Sequence, residues 1–201
     1  IKIELLGILS PLLILHWEHG TGSPLCNTPD NAPCVLDHPC DSNIMTQIRS
    51  QMGQLNSSAN DVFIAYMGQG QPFSSDVDHM CGHGLMSFPP FHANGIEREK
   101  LVELYRIMVY FDFSLDDTLK FQKTLYPNDQ NLHSKLKSTM DILPGLLSNV
   151  LCRLCSKNNM RLTDTIYGLN ISQENVFHKK KLGCELLLKY TQLIPYLAWD
   201  F

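Results

Sequence analysis

The stretch NLHSKLKSTMDILPGLLSNVLCRLCSK, residues 131–157, decides the fold of this chain. Its apolar residues recur at spacings of three and four, which is the period of one buried face of an α-helix. Cys152 and Cys155 close the stretch and, being three residues apart, lie on the same side of that helix. The predicted buried side chains are Leu132, Leu136, Met140, Leu143, Leu147, Val150 and Leu154.

Three further stretches have the same period, and no stretch of useful length alternates as a β-strand does. The predicted buried side chains are Ile44, Ile48, Met52, Leu55, Ala59, Val62 and Tyr66 in the first stretch, Leu101, Leu104, Tyr105, Met108, Phe111 and Leu115 in the second, and Leu182, Leu186, Tyr190, Leu193 and Leu197 in the last. The chain is therefore predicted to be all-α, with four helices.

The lengths of the connections favour one arrangement of these helices. Segments 68–95 and 156–175 are long and contain Gly, Pro and Asn, whereas the connection near 120–130 is short. Antiparallel neighbours are usually joined by a few residues, and two long crossovers are typical of up-up-down-down bundles. We predict an up-up-down-down, long-chain four-helix bundle.

Length and composition restrict the function. With 201 residues, 44% of them hydrophobic, the chain suits one domain with a substantial core. Charged residues make up 18% and the formal net charge is −4, which gives no basis for binding nucleic acid or a strongly anionic membrane. Common hydrolase, P-loop and EF-hand motifs do not occur, so no catalytic residue, cofactor or metal ligand is predicted.

Residues 1–22 are typical of a secretory signal peptide. Lys2 precedes an apolar run from Leu5 to Leu15, and small residues follow at 20–23. The run is shorter than the roughly 20 residues that span a membrane, and the alternative is a buried core helix. The chain begins at Ile1 rather than Met, which leaves a fragment or a translated gene copy open. We expect residues 23–201 to form the mature domain.

Seven cysteines are typical of a disulfide-bonded secreted domain, and their number alone does not fix the pairing. Segment 23–41 is rich in Pro, Asn, Asp and Cys and is expected to form an irregular arm. If this arm runs antiparallel to the end of the third predicted helix, the pairs are Cys34–Cys155, Cys40–Cys152 and Cys81–Cys184, with Cys26 left over. A redox CxxC normally begins a helix rather than ending one, and a zinc site built on these cysteines fits poorly with secretion.

Two polar surfaces are candidates for binding. Lysines 179–181 fall in the first turns of the last predicted helix, where the helix dipole disfavours cations, and Phe177 precedes them. An exposed aromatic residue beside lysines is typical of an interface hot spot, although Phe177 could instead pack beneath the loop. The second surface consists of polar stripes on the first and third predicted helices, and each stripe alone is typical of a solvated helix face. These stripes are Gln47, Ser50 and Gln54, and Asp141, Gly145 and Asn149.

Five runs closely resemble the leukaemia inhibitory factor family of interleukin-6-type cytokines. They are MTQIRSQMGQLNSSAN (45–60), FPPFHANG (88–95), KLVELYRI (100–107), LLSNVLCRLCSK (146–157) and KKKLGC (179–184). The resemblance spans the chain and implies the three disulfides named above. It also implies a secreted, monomeric growth factor that is not an enzyme and is not inserted in a membrane. Its expected partners are the leukaemia inhibitory factor receptor and the signal-transducing receptor subunit that the interleukin-6 family shares.

The resemblance also assigns the two surfaces. It implies that Pro72, Val176, Phe177, Lys180 and Lys181 contact the leukaemia inhibitory factor receptor. It implies that the two polar stripes together bind the shared subunit.

Several residues depart from the family pattern. Glu174 stands where a basic residue is expected. Pro144 and Pro195 lie inside predicted helices, where a proline removes a backbone hydrogen bond and can cost about 3 kcal/mol or more. Only Asn56 and Asn170 remain as glycosylation acceptors. The alternative function is therefore a diverged relative that does not signal or that binds one receptor only.

Overall fold

The computed structural model describes residues 34, 40–68, 81–82, 88–160, 162, 168 and 174–201. These residues form four long helices, α1 (Ile44–Met67), α2 (Glu97–Leu125), α3 (Gln130–Asn158) and α4 (Val176–Asp200), and contain no strand. No helix in the described part of the chain is both long and apolar enough to span a membrane. The all-α prediction is confirmed.

Each helix packs against two others, so that α1 and α2 both lie between α3 and α4. The directions follow from contacts at the helix ends. Tyr66, at the end of α1, donates a hydrogen bond to the carbonyl of Lys180, near the start of α4. Arg153, near the end of α3, forms an ion pair of 2.7 Å with Glu97 at the start of α2.

Two more contacts complete the topology. Lys100, near the start of α2, lies 2.9 Å from Asp200 at the end of α4. Cys40, just before α1, is bonded to Cys152 near the end of α3. Neighbouring helices are therefore antiparallel, α1 is parallel to α2, and α3 is parallel to α4. The up-up-down-down prediction is confirmed, with long connections 68–96 and 159–175 and a short one at 126–129.

The predicted buried faces of α1 and α2 are buried throughout. The predictions for α3 and α4 need correction at Met140, Leu147, Leu182 and Leu193, which are only half-buried. Fully buried side chains that the period missed include Ile107 on α2, Leu146 on α3, and Leu187 and Ile194 on α4. Because each helix contacts two others, its buried face is wider than a single stripe, and on α3 and α4 the centre of that face differs from the prediction.

The end of α3 anchors the amino-terminal arm. Asn159 adopts a left-handed conformation (φ 48°), and its N–H donates to the Cys155 carbonyl at 3.0 Å, which closes the helix. Its side-chain oxygen accepts the N–H of Cys34 at 3.0 Å. The arm is therefore tied to α3 by a polar contact as well as by covalent bonds.

The described residues include three disulfides, and they are the three pairs expected. Their Cα–Cα separations are 5.5 Å for Cys34–Cys155, 5.8 Å for Cys40–Cys152 and 5.5 Å for Cys81–Cys184. Cys26 and the predicted signal peptide lie outside the described residues.

Pro144 and Pro195 lie inside α3 and α4, as the sequence predicts. Both prolines are exposed, and α3 and α4 run through them without a break. A proline removes one backbone hydrogen bond and crowds the preceding turn. On an exposed face that turn can adjust without displacing the core, so each helix persists.

Candidate functional site

The first candidate region is the beginning of α4. Asn175 caps the helix, because its backbone is extended and its side chain accepts the N–H of His178 at 2.9 Å. The cap places Val176 and Phe177 in the first turn, where each side chain is 52% exposed. The Phe177 side chain is thus presented at the surface, in contrast to the alternative of a residue packed beneath the loop.

The three lysines that follow have different surroundings. Lys180 donates a hydrogen bond from Nζ to the Tyr126 hydroxyl at 2.6 Å, and this Nζ lies 5.0 Å from the centre of the Tyr126 ring. Lys181 lies 3.8 Å from the buried carboxylate of Glu185. The ammonium of Lys179 lies 5.4 Å from the centre of the Phe121 ring. The run is therefore not a uniform solvated face.

A buried tyrosine supports this region from below. Tyr66 is fully buried, and its hydroxyl donates to the carbonyl of Lys180 at 2.8 Å. Burial raises the pKa of Tyr66, which keeps the hydroxyl protonated as a donor. One turn along α4, a Cβ at Gly183 would lie 2.5 Å from the same hydroxyl. Only glycine lets α4 approach Tyr66 this closely.

We call Val176, Phe177, Lys180 and Lys181 the α4-end site. The structure brings these four predicted residues together on the first two turns of one helix. The fifth, Pro72, lies outside the described residues. Glu174, the acidic departure from the family pattern, is exposed and lies 4.0 Å from the His178 ring. A carboxylate therefore lies beside His178 in the first turn of α4.

The second candidate region lies on α1 and α3, which pack side by side. We call the six predicted residues the α1/α3 face: Gln47, Ser50, Gln54, Asp141, Gly145 and Asn149. Gln47 and Asn149 are half-buried at the seam, and the other four are exposed. The face contains no aromatic or apolar side chain and therefore differs chemically from the α4-end site.

Gln51 joins the two halves of this face, although it is not among the residues predicted for the face. Its side-chain amide lies 2.9 Å from the amide of Asn149. It also lies 2.7 Å from the position that a Cβ on Gly145 would occupy. Gln51 is one turn after Gln47 and three residues before Gln54, so helical spacing placed it beside the stripe.

The arm holds one end of the α1/α3 face. Gln47 donates from Nε2 to the carboxylate of Asp41 at 2.7 Å, and Asp41 follows the disulfide-bonded Cys40. Lys135 and Asp61 form a longer ion pair, 3.8 Å, farther along the same helix pair. One contact lies beside each end of the α1/α3 face.

The sequence predicts two glycosylation acceptors, Asn56 and Asn170. Asn56 is exposed on α1, and Ser58, the hydroxyl residue of its glycosylation sequence, donates to the Gln54 carbonyl at 3.2 Å. Asn170 lies outside the described residues. Within the described part of the chain, no group of three His, Cys, Asp or Glu side chains is placed to hold a metal ion.

A comparison with protein families agrees with this architecture. The family model described as the LIF / OSM family matches residues 43–201, which begin just before α1 and include all four helices. The match covers well over half of the chain and both candidate regions. The chain therefore belongs to the LIF / OSM family of interleukin-6-type cytokines.

Proposed function

We propose that this cytokine is secreted and brings two receptor chains together at a cell surface. The α4-end site is assigned to the leukaemia inhibitory factor receptor and the α1/α3 face to the shared signal-transducing subunit. The observation that carries this proposal is the joint display of Phe177 and Lys180 on the first two turns of α4. Three disulfides, which persist in oxidising compartments, support an extracellular location.

The α4-end site has the composition of an interface hot spot. Phe177 offers a half-exposed ring, and Lys180, three residues later on α4, offers a cation that is hydrogen-bonded to Tyr126. Aromatic anchors that become fully desolvated on binding typically cost 2 kcal/mol or more when truncated. A receptor pocket for the ring and an oxygen acceptor for the ammonium would match this surface.

The α1/α3 face supports a different kind of contact. Its members are polar, and the Gln51 amide fills the space beside Gly145, so this part of the face offers a partner side-chain amides. The two regions use different elements, α4 with the end of α2 in one case and α1 with α3 in the other. One ligand can therefore contact two receptors at the same time.

Binding of refolded protein to the two receptor ectodomains tests the proposal. Phe177→Ala and Lys180→Ala are each expected to weaken binding to the leukaemia inhibitory factor receptor about 30-fold or more, while binding to the shared subunit stays unchanged. Asp141→Ala serves as the matched control, because it lies on the other face. Absence of binding to both ectodomains at micromolar concentration would refute the proposal.

A second candidate function is a ligand that occupies one receptor without signalling. Pro144 favours it, because this proline stands beside Gly145 in the middle of the α1/α3 face. A reporter assay in cells carrying both receptors separates the two functions. Receptor binding without reporter activation would support the second candidate, and activation at nanomolar concentration would exclude it.

A further inference from the structure

We infer that Tyr126 is a positioning residue for Lys180, so that the end of α2 forms part of the α4-end site. This inference rests on the proposed function, because it concerns the same receptor contact. Tyr126 is the residue at which α2 ends, and it begins the short connection to α3. No pattern in the sequence connects it with α4, since the two residues are far apart in the chain.

A short hydrogen bond joins these side chains. The ammonium of Lys180 donates to the Tyr126 hydroxyl at 2.6 Å, and it lies 5.0 Å from the ring centre, which places it beyond the hydroxyl rather than over the ring face. Both residues are half-buried. A free lysine explores many rotamers and loses that freedom when it binds. Tyr126 holds the lysine in one arrangement before the receptor arrives.

The backbone beneath the lysine is held as well. The Tyr66 hydroxyl donates to the carbonyl of Lys180 at 2.8 Å, and Gly183 allows α4 to come close enough for this bond. The end of α1 therefore fixes the main chain of Lys180, while the end of α2 fixes its ammonium group. Two helices that contribute no member of the predicted site determine the geometry of its central cation.

This geometry also indicates the chemistry of the receptor group. An ammonium has three N–H donors, and one of them is used on Tyr126. The Tyr126 oxygen accepts that bond, and the other two N–H donors of the ammonium remain for the receptor. A carboxylate that faces the ammonium would accept from these donors. We therefore assign an Asp or Glu side chain of the receptor to this position.

The substitution Tyr126→Phe is the sharpest probe. Tyr126 also lines a surface cavity of about 530 Å³ with Leu125, Pro127, Asn128 and Asp129, so alanine would change the surface itself. Phenylalanine keeps the ring and removes only the hydroxyl. Losing the bond that orients Lys180 is expected to weaken binding to the leukaemia inhibitory factor receptor roughly three- to tenfold. Binding to the shared subunit is expected to stay unchanged.

A double-mutant cycle distinguishes positioning from independent contact. In a Lys180→Met background, Tyr126→Phe should have no further effect, because a residue that acts through Lys180 has nothing left to position. The control is Tyr196→Phe, the same chemical change at an exposed tyrosine near the other end of α4, which should leave affinity unchanged. An equal loss in both backgrounds would overturn the inference.

Failure of the inference can be told from failure of the proposed function. If Lys180→Met and Phe177→Ala weaken binding but Tyr126→Phe does not, the inference falls and the proposed function stands. If none of the three variants weakens binding, both fall.

Proton NMR of the free protein gives a readout that does not need the receptor. The Lys180 Hε protons should show nuclear Overhauser contacts with the Tyr126 ring protons next to the hydroxyl, and their absence would overturn the inference.

Discussion

The α4-end site and the α1/α3 face are built in opposite ways. The first is aromatic and cationic, and buried core residues hold it from below: Tyr66 bonds to the Lys180 backbone, and Gly183 lies against Tyr66. The second is polar, and surface amides hold it across the seam, with Gln51 facing Asn149. One region depends on the core, and the other depends on how two helices lie side by side.

This difference has a consequence for mutation. A change in the core near Tyr66 should alter the α4-end site and stability together, because the same contacts serve both. A change on the exposed side of α3 should alter the α1/α3 face while the core stays intact. Substitutions at the disulfides, the helix prolines and the helical glycines test whether the two regions respond separately.

Removing a disulfide should give the largest change in the free energy of unfolding. Replacing Cys40 and Cys152 by alanine removes a bridge between residues separated by 112 positions, and we expect the free energy of unfolding to fall by roughly 2–5 kcal/mol in guanidinium denaturation. Cys40 precedes Asp41, which binds Gln47 on the α1/α3 face. Affinity for the shared subunit should therefore fall more than affinity for the leukaemia inhibitory factor receptor.

The matched control for this variant is the pair Cys81→Ala and Cys184→Ala. Its bridge spans a similar separation, 103 positions, so the loss of stability should be similar. Cys184 follows Gly183 on α4, so here the affinity for the leukaemia inhibitory factor receptor should fall more. If both double variants change the two affinities in the same ratio, the two regions are not separate.

Replacing Pro144 should give the next largest change in the free energy of unfolding. Pro144→Ala supplies the N–H that a proline lacks, and we expect the free energy of unfolding to rise by up to about 3 kcal/mol. The affinity for the shared subunit should rise as well, because the α3 turn between Asp141 and Gly145 becomes regular. Thermal melting and binding to the ectodomain measure the two effects.

Pro195→Ala provides the comparison for Pro144. It also restores a backbone donor in an exposed turn, but on α4, away from the α1/α3 face. Stability should rise without a change in affinity for the shared subunit. An unchanged affinity with Pro144→Ala as well would show that this proline does not impair the α1/α3 face.

The smallest of these changes in stability is expected at two of the helical glycines, Gly183 and Gly53. A Cβ at Gly183 would lie 2.5 Å from the Tyr66 hydroxyl, so Gly183→Ala should lower the free energy of unfolding by about 1–3 kcal/mol. Because Tyr66 must move, the affinity for the leukaemia inhibitory factor receptor should fall too. Chemical denaturation and binding to the receptor ectodomain would measure both changes.

Gly53→Ala is the control for that change. Nothing lies within 4 Å of a Cβ at Gly53, an exposed position inside α1, so alanine should raise stability by about 0.5–1 kcal/mol. Neither receptor affinity should change. A stability-neutral Gly183→Ala would mean that α4 and Tyr66 separate freely, and the proposed link between the core and the α4-end site would be wrong.

Much of the fold could be predicted because its causes are local. A helix that buries one face needs apolar residues every three or four positions, so Ile48, Leu104 and Leu136 could be assigned to the core without a structure. Connection lengths were enough for the topology, because a short connection joins neighbours and a long one crosses the bundle. The errors at Leu147 and Leu193 arose because a helix that contacts two others buries more than one stripe, and the period alone does not fix the centre of that wider face.

The sequence alone predicts the four helices, their order and the residues of both candidate surfaces, because periodicity and motif are properties of consecutive residues. Only the tertiary structure decided which side chains meet between helices. Gln51 reaches Asn149, and Tyr126 reaches Lys180, because the helices are shifted along one another by a particular amount. That axial register comes from packing the whole core, and no single helix contains it.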